Sequence, residues 1–290
     1  MSTCSSQQAQ TPPKPAPPPL EFLGEWGTRG DGPGQLSWPS GIAVDTVGNV
    51  YVVESSTRFA HKFTSKGKPL LSFQDDGIKN PGGIAVDSGG AIYVAAYSGK
   101  QIIVFLPEGD RFRVIRGKSG PPFEGISSLC VDTDGNIFVS ESEGHRLRKF
   151  DPKGRQIASW GRKTPRDTEI GRLGPAALSP DGFLYVADYD NSRIVKMNRG
   201  LEFSQSWSVP EAFRPVIALA ASRRLVLAAV SGGRIAVWTP EGVLLRVDDL
   251  GGRIRSHDTP PPFELALGQG NELIVLDVLG ARVLRFRINF

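Results

Sequence analysis

Short runs of apolar residues alternate with polar residues along most of the chain, and turn residues bound each run. The clearest example, residues 41–54, reads GIAVDTVGNVYVVE and consists of two apolar arms joined through a turn rich in Asp, Gly and Asn. Alternation of this kind, bounded by turn residues, is typical of paired β-strands and not of helices. The pattern therefore predicts a chain of β-hairpins.

The hairpin recurs along the chain, and its six copies read GIAVDTVGNVYVVE, GIAVDSGGAIYVAA, SLCVDTDGNIFVSE, PAALSPDGFLYVAD, VIALAASRRLVLAA and ELALGQGNELIVLD. Alignment of their second arms places one residue of each copy in register: Tyr51, Tyr93, Phe138, Tyr185, Val226 and Ile274. Their spacing of roughly 45 residues is that of four-stranded propeller blades. The sequence therefore predicts an all-β fold, a six-bladed β-propeller with four antiparallel strands in each blade.

The last copy lacks a fourth strand, because the chain ends just after its third strand at 282–287. The run at 20–26 has the spacing of Leu, Phe and Trp found in the fourth strand at 201–207. We therefore expect residues 20–27 to pair with 282–287 and to complete the last blade. Such closure leaves only protected strand edges, which is how propellers avoid edge-to-edge aggregation.

Residues 1–19 differ in kind from the rest of the chain, since they are rich in Pro, Ser and Gln and contain no apolar residue larger than Ala after Met1. Such a segment cannot bury enough apolar surface to offset the entropy lost on ordering. We predict a disordered tether at 1–19 and one propeller domain at 20–290. No run of about 18 apolar residues occurs, so no transmembrane helix is expected.

Cys4 and the polar residues after it resemble the start of a mature bacterial lipoprotein, in which a lipidated Cys precedes a polar tether. Residues 1–3 supply neither an apolar signal segment nor the small residues of a cleavage motif. Two interpretations stay open. Either Cys4 is lipidated and tethers the protein to a membrane in the bacterial cell envelope, or residues 1–19 are the solvated tail of a cytoplasmic protein.

Two stretches, GDGPGQLSWPSGIAVDTVGNVYVVE and LYVADYDNSRIVKM, resemble the NHL-repeat signature. This signature combines a Gly-rich connector, a Pro-Gly-Ile-Ala-Val-Asp hairpin and an Ala-Asp-x-x-Asn-x-Arg-Ile stretch. The resemblance covers residues 20–290, is strong in copies one to four and has drifted in copies five and six. It implies a six-bladed propeller. It says little about function, because folds of this kind host unrelated activities.

The first strand of each blade lines the central channel of a propeller, so the residue near its start samples the channel mouth. Counting back from the aligned hairpins gives Gly41, Gly83, Ser128, Pro175, Val216 and Glu264. Related lyases and lactonase propellers place several His, Asn, Asp or Glu residues there to hold a metal, since a divalent cation needs several converging ligands. A single carboxylate, Glu264, does not meet that need, so we expect no metal, no cofactor and no catalytic residue. A metal-dependent lyase or a lactonase-like enzyme is the alternative.

The three histidines support the same expectation, because His61, His145 and His257 occupy different places in their repeats. The charge balance leaves another alternative open, since the chain carries a net charge of +4. A connector holds three of its basic residues: Arg162, Lys163 and Arg166. Some animal NHL propellers bind RNA on a basic face, so RNA binding is the second alternative.

The connectors between blades and the turns between second and third strands share one face of a propeller, and loops on a rigid scaffold usually carry recognition. The candidate residues on this face are Arg58, Tyr97, Lys100, His145, Arg162, Lys163, Arg166, Tyr189, Arg253, Arg255 and His257. We therefore predict a non-catalytic binding or scaffold propeller that recognises a protein or peptide partner through these loops. We expect it to act as a monomeric propeller within a larger assembly.

Overall fold

The computed structural model describes residues 20–117, 120–161, 170–250, 252–254 and 263–289. These residues form six four-stranded antiparallel sheets, so the predicted six-bladed propeller is confirmed. The strands in chain order are β1 (Glu21–Trp26), β2 (Pro39–Val44), β3 (Val50–Glu54), β4 (Phe59–Phe63), β5 (Pro69–Gln74), β6 (Pro81–Val86), β7 (Ile92–Ala96), β8 (Gln101–Phe105), β9 (Arg111–Ile115), β10 (Ile126–Val131), β11 (Ile137–Glu141), β12 (Arg146–Phe150), β13 (Gln156–Trp160), β14 (Leu173–Leu178), β15 (Leu184–Asp188), β16 (Arg193–Met197), β17 (Phe203–Ser208), β18 (Val216–Ala221), β19 (Val226–Val230), β20 (Arg234–Trp238), β21 (Leu244–Asp249), β22 (Phe263–Leu267), β23 (Glu272–Asp277) and β24 (Arg282–Arg287). A short 3-10 helix, Glu211–Phe213, precedes β18. Within the described ranges, no helix has the length and apolar character needed to cross a membrane.

The two ends of the propeller domain meet in the last blade. Its sheet has the order β1-β24-β23-β22, and β1 runs antiparallel to β24 with Glu21 opposite Arg287 and Trp26 opposite Val283. The predicted closure is therefore confirmed. The first strands of successive blades also contact one another around the axis, and β2 contacts β22, so the inner ring is closed as well.

The hydrophobic core lies between blades and not inside a single sheet. Val50 and Val52 of β3 pack in a cluster shared with the last blade, whereas Tyr51 and Val53 of the same strand pack in a cluster shared with the second blade. Both faces of β3 are therefore covered, and all its residues are buried. This is why the second arm of each repeat reads as a nearly continuous apolar run.

The hairpin of the fifth blade departs from the register expected from sequence. Its turn spans 222–225, which is one residue shorter than the turn at 45–49 in the first blade. As a result Leu227, and not Val226, holds the position of Tyr51 in the paired strands. The alignment of Val226 with Tyr51 is therefore wrong by one residue.

An acidic residue at the end of the second strand is followed five residues later by an arginine in several copies, and this pair has a structural role. In the fourth blade the Asp188 carboxylate accepts a hydrogen bond from Arg193 Nε at 2.9 Å and another from the backbone N–H of Gly171 at 3.0 Å. Asp277 and Arg282 form the same ion pair in the last blade, at 3.0 Å. These contacts tie the second strand to the third strand and, in the fourth blade, to the connector before it. They fix the turns and connectors of one side of the ring, which we call the loop face.

Candidate functional site

Several predicted loop-face residues occupy one recurring turn position. Arg58, Lys100 and His145 each come directly before a third strand and have positive φ angles of 61°, 46° and 47°. Ser192 and Ala281 hold the same position in two other blades. The turn therefore projects these side chains from different blades, and Arg58, Lys100 and His145 form a dispersed surface and not one cluster.

Other predicted residues have partners of their own. Arg58 pairs with Asp76 at 2.6 Å, and the Tyr97 hydroxyl donates a hydrogen bond to Glu143 of the neighbouring blade. The guanidinium of Arg253 lies 4.0 Å from the ring centre of Phe22, so this residue covers the closing strand. The remaining predicted residues lie outside the described part of the chain: Cys4, Arg162, Lys163, Arg166, Arg255 and His257.

The loop face contains a groove between the fourth and fifth blades, with a volume of about 460 Å³. We call it the arginine groove. Its apolar lining consists of Ala187, Tyr189, Val209, Pro215, Val216 and Ile217. Its basic lining consists of Arg172, Arg193 and Arg214. Of all these residues, only Tyr189 is among the binding candidates predicted from sequence.

The three arginines of the groove differ in how far their charge is balanced. Arg172 pairs with Asp190 at 3.1 Å, and its backbone N–H helps to hold the pKa of that carboxyl below its usual value. Arg193 pairs with buried Asp188. Arg214 is exposed and forms no ion pair with another described residue, although its Nε donates to a backbone carbonyl at 2.9 Å. The groove therefore carries about one unbalanced positive charge beside apolar walls.

A sequence signal for this groove did exist. Arg172 comes directly before β14, and Arg214 lies two residues before β18, so both stand at the start of an inner strand in consecutive copies. An arginine just before the first strand in two consecutive copies indicates that both side chains lie at equivalent positions on the loop face. The convergence of the two residues on one groove depends, however, on the packing of two blades, which the sequence pattern does not report.

The central channel holds a second candidate site at its loop-face end. A cavity of about 130 Å³ is lined there by Glu264 with Gly41, Gly83, Ser128 and Pro175, as the sequence predicted. The prediction for the fifth blade is wrong, because Val216 is buried against the fourth blade and Ile217 lines the channel in its place. In the paired strands of that blade Ala218, and not Val216, holds the position of Gly41.

Glu264 is the acidic residue of this cavity, and burial raises its pKa to about 8. Tyr189 lines the same cavity, and burial together with the nearby Glu264 carboxyl raises the Tyr189 pKa to about 12. Tyr189 also lines the arginine groove, so it separates the two sites. The structure thus brings together two of the residues named from sequence.

The remaining residues with chemical potential serve the fold. His61 is buried in β4, its Nδ1 lies 2.9 Å from Ser72 Oγ, and burial lowers its pKa to about 4. Burial raises the pKa of Cys130 to about 12, which disfavours a reactive thiolate. The Asp132 carboxylate accepts backbone hydrogen bonds from Asp134 and Asn136, so it stabilises a turn. Within the described ranges, no group of three His, Cys, Asp or Glu residues could hold a metal ion.

Comparison with known families agrees with the repeat architecture. A family model described as NHL repeat matches residues 123–150, which span the first three strands of the third blade. A second model, described as beta-propeller repeat, matches residues 23–56, which run from the closing strand through the first hairpin. The chain is an NHL-repeat six-bladed β-propeller.

Solved structures share the fold of this NHL-repeat propeller at low sequence identity. A streptogramin B lyase is 12% identical with a TM-score of 0.63, over 93% of this chain and 98% of the other. A virginiamycin B lyase from Staphylococcus aureus is 14% identical with a TM-score of 0.62, over 88% and 81%. The propeller domain of Cps50 (Swd1) from Myceliophteria thermophila is 11% identical with a TM-score of 0.62, over 87% and 84%. At these identities the likeness is one of fold alone.

The NHL repeat also accounts for part of the arginine groove. Asp188 and Arg193 belong to the Ala-Asp-x-x-Asn-x-Arg-Ile stretch of the fourth copy, and their ion pair serves the blade. Arg172, Arg214 and Tyr189 lie outside those motif positions. The features that distinguish this groove from the other blade junctions are therefore carried by residues that the repeat does not require.

Proposed function

We propose that this NHL-repeat propeller is a non-catalytic binding protein that recognises a protein or peptide partner through its loop face, with the arginine groove as the main point of contact. The observation that carries the proposal is Arg214, an exposed arginine without an ion-pair partner among the described residues, at the rim of an apolar groove. A partner segment with an acidic side chain beside an apolar one complements both features.

The size and walls of the groove support a peptide as the ligand. Its volume of about 460 Å³ lies in the range of sites that hold small ligands or a few side chains. Arginine presents a planar fork of donors that matches a carboxylate in a bidentate geometry. The apolar wall formed by Pro215 and Ile217 belongs to a rigid blade, so little ordering entropy is lost there on binding.

The rest of the loop face fits a broader contact. Arg58, Lys100 and His145 project from equivalent turns on three blades, and Arg58 and Lys100 are exposed. Charged residues at the rim of an interface mainly affect the association rate and the selection of partners. In this proposal they orient an acidic partner, whereas the arginine groove supplies the specific contact.

The proposal can be tested by selecting peptides from a random display library on the purified propeller and measuring their affinity by fluorescence anisotropy. We expect enriched peptides to contain Asp or Glu beside an apolar residue. Arg214→Glu should weaken their binding by roughly tenfold or more, because a hydrogen bond to a charged group contributes about 1.5–3 kcal/mol. The expected loss should diminish at high salt, which screens exposed charges.

Arg223→Glu is the matched control. Arg223 is exposed in the turn between β18 and β19, on the side of the same blade opposite the loop face, and its replacement makes the same change in net charge. Binding should be retained in this variant. The proposal is wrong if no peptide is enriched, or if Arg214→Glu and Arg223→Glu weaken binding equally.

A further inference from the structure

We propose that the loop-face end of the central channel binds a primary ammonium group on an unbranched aliphatic stem, with the Glu264 carboxylate as its counter-ion. This site is distinct from the arginine groove and does not depend on the function proposed for that groove. It rests on the position of Glu264, on the absence of a partner for it among the described residues, and on the aliphatic walls beyond it.

Glu264 has no hydrogen bond or ion pair with another described residue, although it is partly buried and lines the channel cavity. Tyr189 is the other titratable group of this lining, and it is neutral at physiological pH, as a tyrosine hydroxyl is even at its usual pKa of about 10. Among the described residues, no basic side chain lines the cavity. A carboxylate in such a place loses hydration and gains no hydrogen bond or ion pair in return. A bound cation would supply that missing interaction.

The walls next to Glu264 are aliphatic. At the level below the carboxyl the channel is lined by Ile42, Ile84, Leu129, Ala176, Leu219 and Leu265. The same residues border a wider apolar opening of about 360 Å³ toward the opposite side of the ring. The channel thus places one carboxyl at the end of an apolar tube.

This arrangement suits an organic ammonium better than a metal ion. Calcium takes six to eight oxygen ligands and zinc takes four ligands, whereas Glu264 offers two oxygens. A primary ammonium is satisfied by fewer acceptors, and its stem would pack against the aliphatic walls. The cavity of about 130 Å³ has the volume of roughly four waters, which fits an ammonium with a short stem.

Two kinds of molecule could place an ammonium group beside Glu264. Glu264 is the second residue of β22 and lies at the loop-face end of the channel, whereas the aliphatic walls lead to the wider opening on the opposite side. A ligand whose stem packs against those walls therefore reaches the carboxyl from that opening. A free alkylamine and the side chain of a lysine on a bound partner carry the same group. The experiment below distinguishes them through the ligands used.

The test is isothermal titration of the full-length protein with n-butylammonium and, separately, with Nα-acetyl-lysine methylamide. We expect saturable binding of at least one ligand and none of n-butanol, the neutral analogue of similar size. Tighter binding of n-butylammonium indicates a free amine, and tighter binding of the lysine derivative indicates a side chain of a partner. Both results support the ammonium site.

Glu264→Gln removes the charge with little change in shape and should weaken binding at least tenfold, as expected for loss of a hydrogen bond to a charged group. Glu241→Gln, at an exposed turn, makes the same charge change away from the channel and should leave binding unchanged. The wild-type protein provides a test that needs no variant. Affinity should rise from pH 6 to pH 9, because Glu264 must lose its proton while the ligand amine keeps its own.

Three results would overturn the proposal. The first is absence of binding by both amines at pH 9. The second is binding of n-butanol as tight as that of n-butylammonium, which would show an apolar site only. The third is unchanged affinity in a folded Glu264→Gln variant.

Discussion

Trp26 offers a direct test of how the ring is closed. It belongs to β1 in the last blade, yet its ring centre lies 4.7 Å from that of Phe63 in the first blade. Its Nε1 donates a hydrogen bond to the carbonyl of Ser65 at 3.3 Å. The ring also covers Gly67, where an added Cβ would lie 2.3 Å from it. Trp26 therefore joins the last blade to the first.

Trp207 provides an internal standard for this contact. It occupies the corresponding place in the outer strand β17, and its ring covers Gly242 of the next blade in the same way, with a Cβ position 2.6 Å away. Both tryptophans are partly buried. The junction between the chain ends thus shares this packing of a tryptophan on a glycine with a junction inside the chain, although Trp207 Nε1, unlike Trp26 Nε1, has no hydrogen-bond partner among the described residues.

The expected effect of Trp26→Ala follows from these contacts. Truncation of a fully buried tryptophan costs about 3–5 kcal/mol, so roughly half of that, together with one lost hydrogen bond, gives about 2–3 kcal/mol. An unfolding entropy of about 2.1 cal/mol/K per residue over roughly 270 residues is about 0.6 kcal/mol/K. The Tm should therefore fall by about 3–5 °C.

The change in Tm can be measured by differential scanning calorimetry of three variants: Trp26→Ala, Trp207→Ala and a deletion of residues 20–27. We expect a decrease for both point variants and a larger one for Trp26→Ala, because only Trp26 also loses an indole hydrogen bond. The deletion should lower the Tm further, since it also removes the pairing partner of β24 and exposes a strand edge. The closure argument fails if the deletion leaves the Tm unchanged, or if Trp26→Ala is neutral while Trp207→Ala is not.

Three further predictions concern buried ionisable residues and can be followed by thermal unfolding. Glu141→Ala leaves the buried guanidinium of Arg148 without its carboxylate partner at 2.6 Å and should lower the free energy of unfolding by about 3–5 kcal/mol. Asp76→Ala removes an exposed ion pair and should lower it by less than about 1 kcal/mol. Equal effects of the two variants would contradict this prediction. Burial lowers the pKa of His61 to about 4 from the usual 6.5, so between these pH values the unfolded chain binds a proton that the folded chain does not. The free energy of unfolding should therefore fall as the pH drops from 6.5 towards 4. His61→Gln should flatten this decrease, and an unchanged slope in the variant would contradict the prediction. Burial raises the pKa of Glu264 to about 8 from the usual 4.5, so between these pH values the folded chain retains a proton that the unfolded chain has lost. The free energy of unfolding should therefore fall as the pH rises from 4.5 to 8. Glu264→Gln should remove this slope, and a slope that persists in the variant would count against the burial of the carboxyl.

The fold was predictable from sequence because the same strand positions are buried in every repeat, which gives every copy the same apolar pattern. The second strands are covered on both faces, so runs such as 50–53 and 184–187 are apolar throughout, and a run of this kind marks every blade. The closing strand was predictable for the same reason, since Trp26 must fill the place that Trp207 fills in another blade. What the pattern could not report was the shorter turn at 222–225, because a one-residue deletion in a turn leaves the apolar runs on both sides intact.

The candidate sites were predictable only in part. Glu264 stood out because one carboxyl interrupts a ring of small and apolar residues, and Tyr189 was named as a loop-face residue. The arginine groove was missed because Arg172 and Arg214 belong to different blades and meet only when those blades pack. Arg193, by contrast, is a repeat residue with a structural partner, so its presence in the groove gave no separate signal.

The contrast between the channel and the blade junctions indicates where this propeller can carry function. Residues such as Val52 touch a neighbouring blade and must preserve its packing, whereas the position of Glu264 faces the channel. The corresponding residues Gly41, Gly83 and Ser128 are small, and a Cβ added to Gly83 would meet its nearest neighbour only at 3.7 Å. Blade packing therefore does not require a carboxyl at position 264. Since its burial is unfavourable for the isolated chain, the presence of Glu264 is better explained by a ligand that it meets than by the fold that holds it.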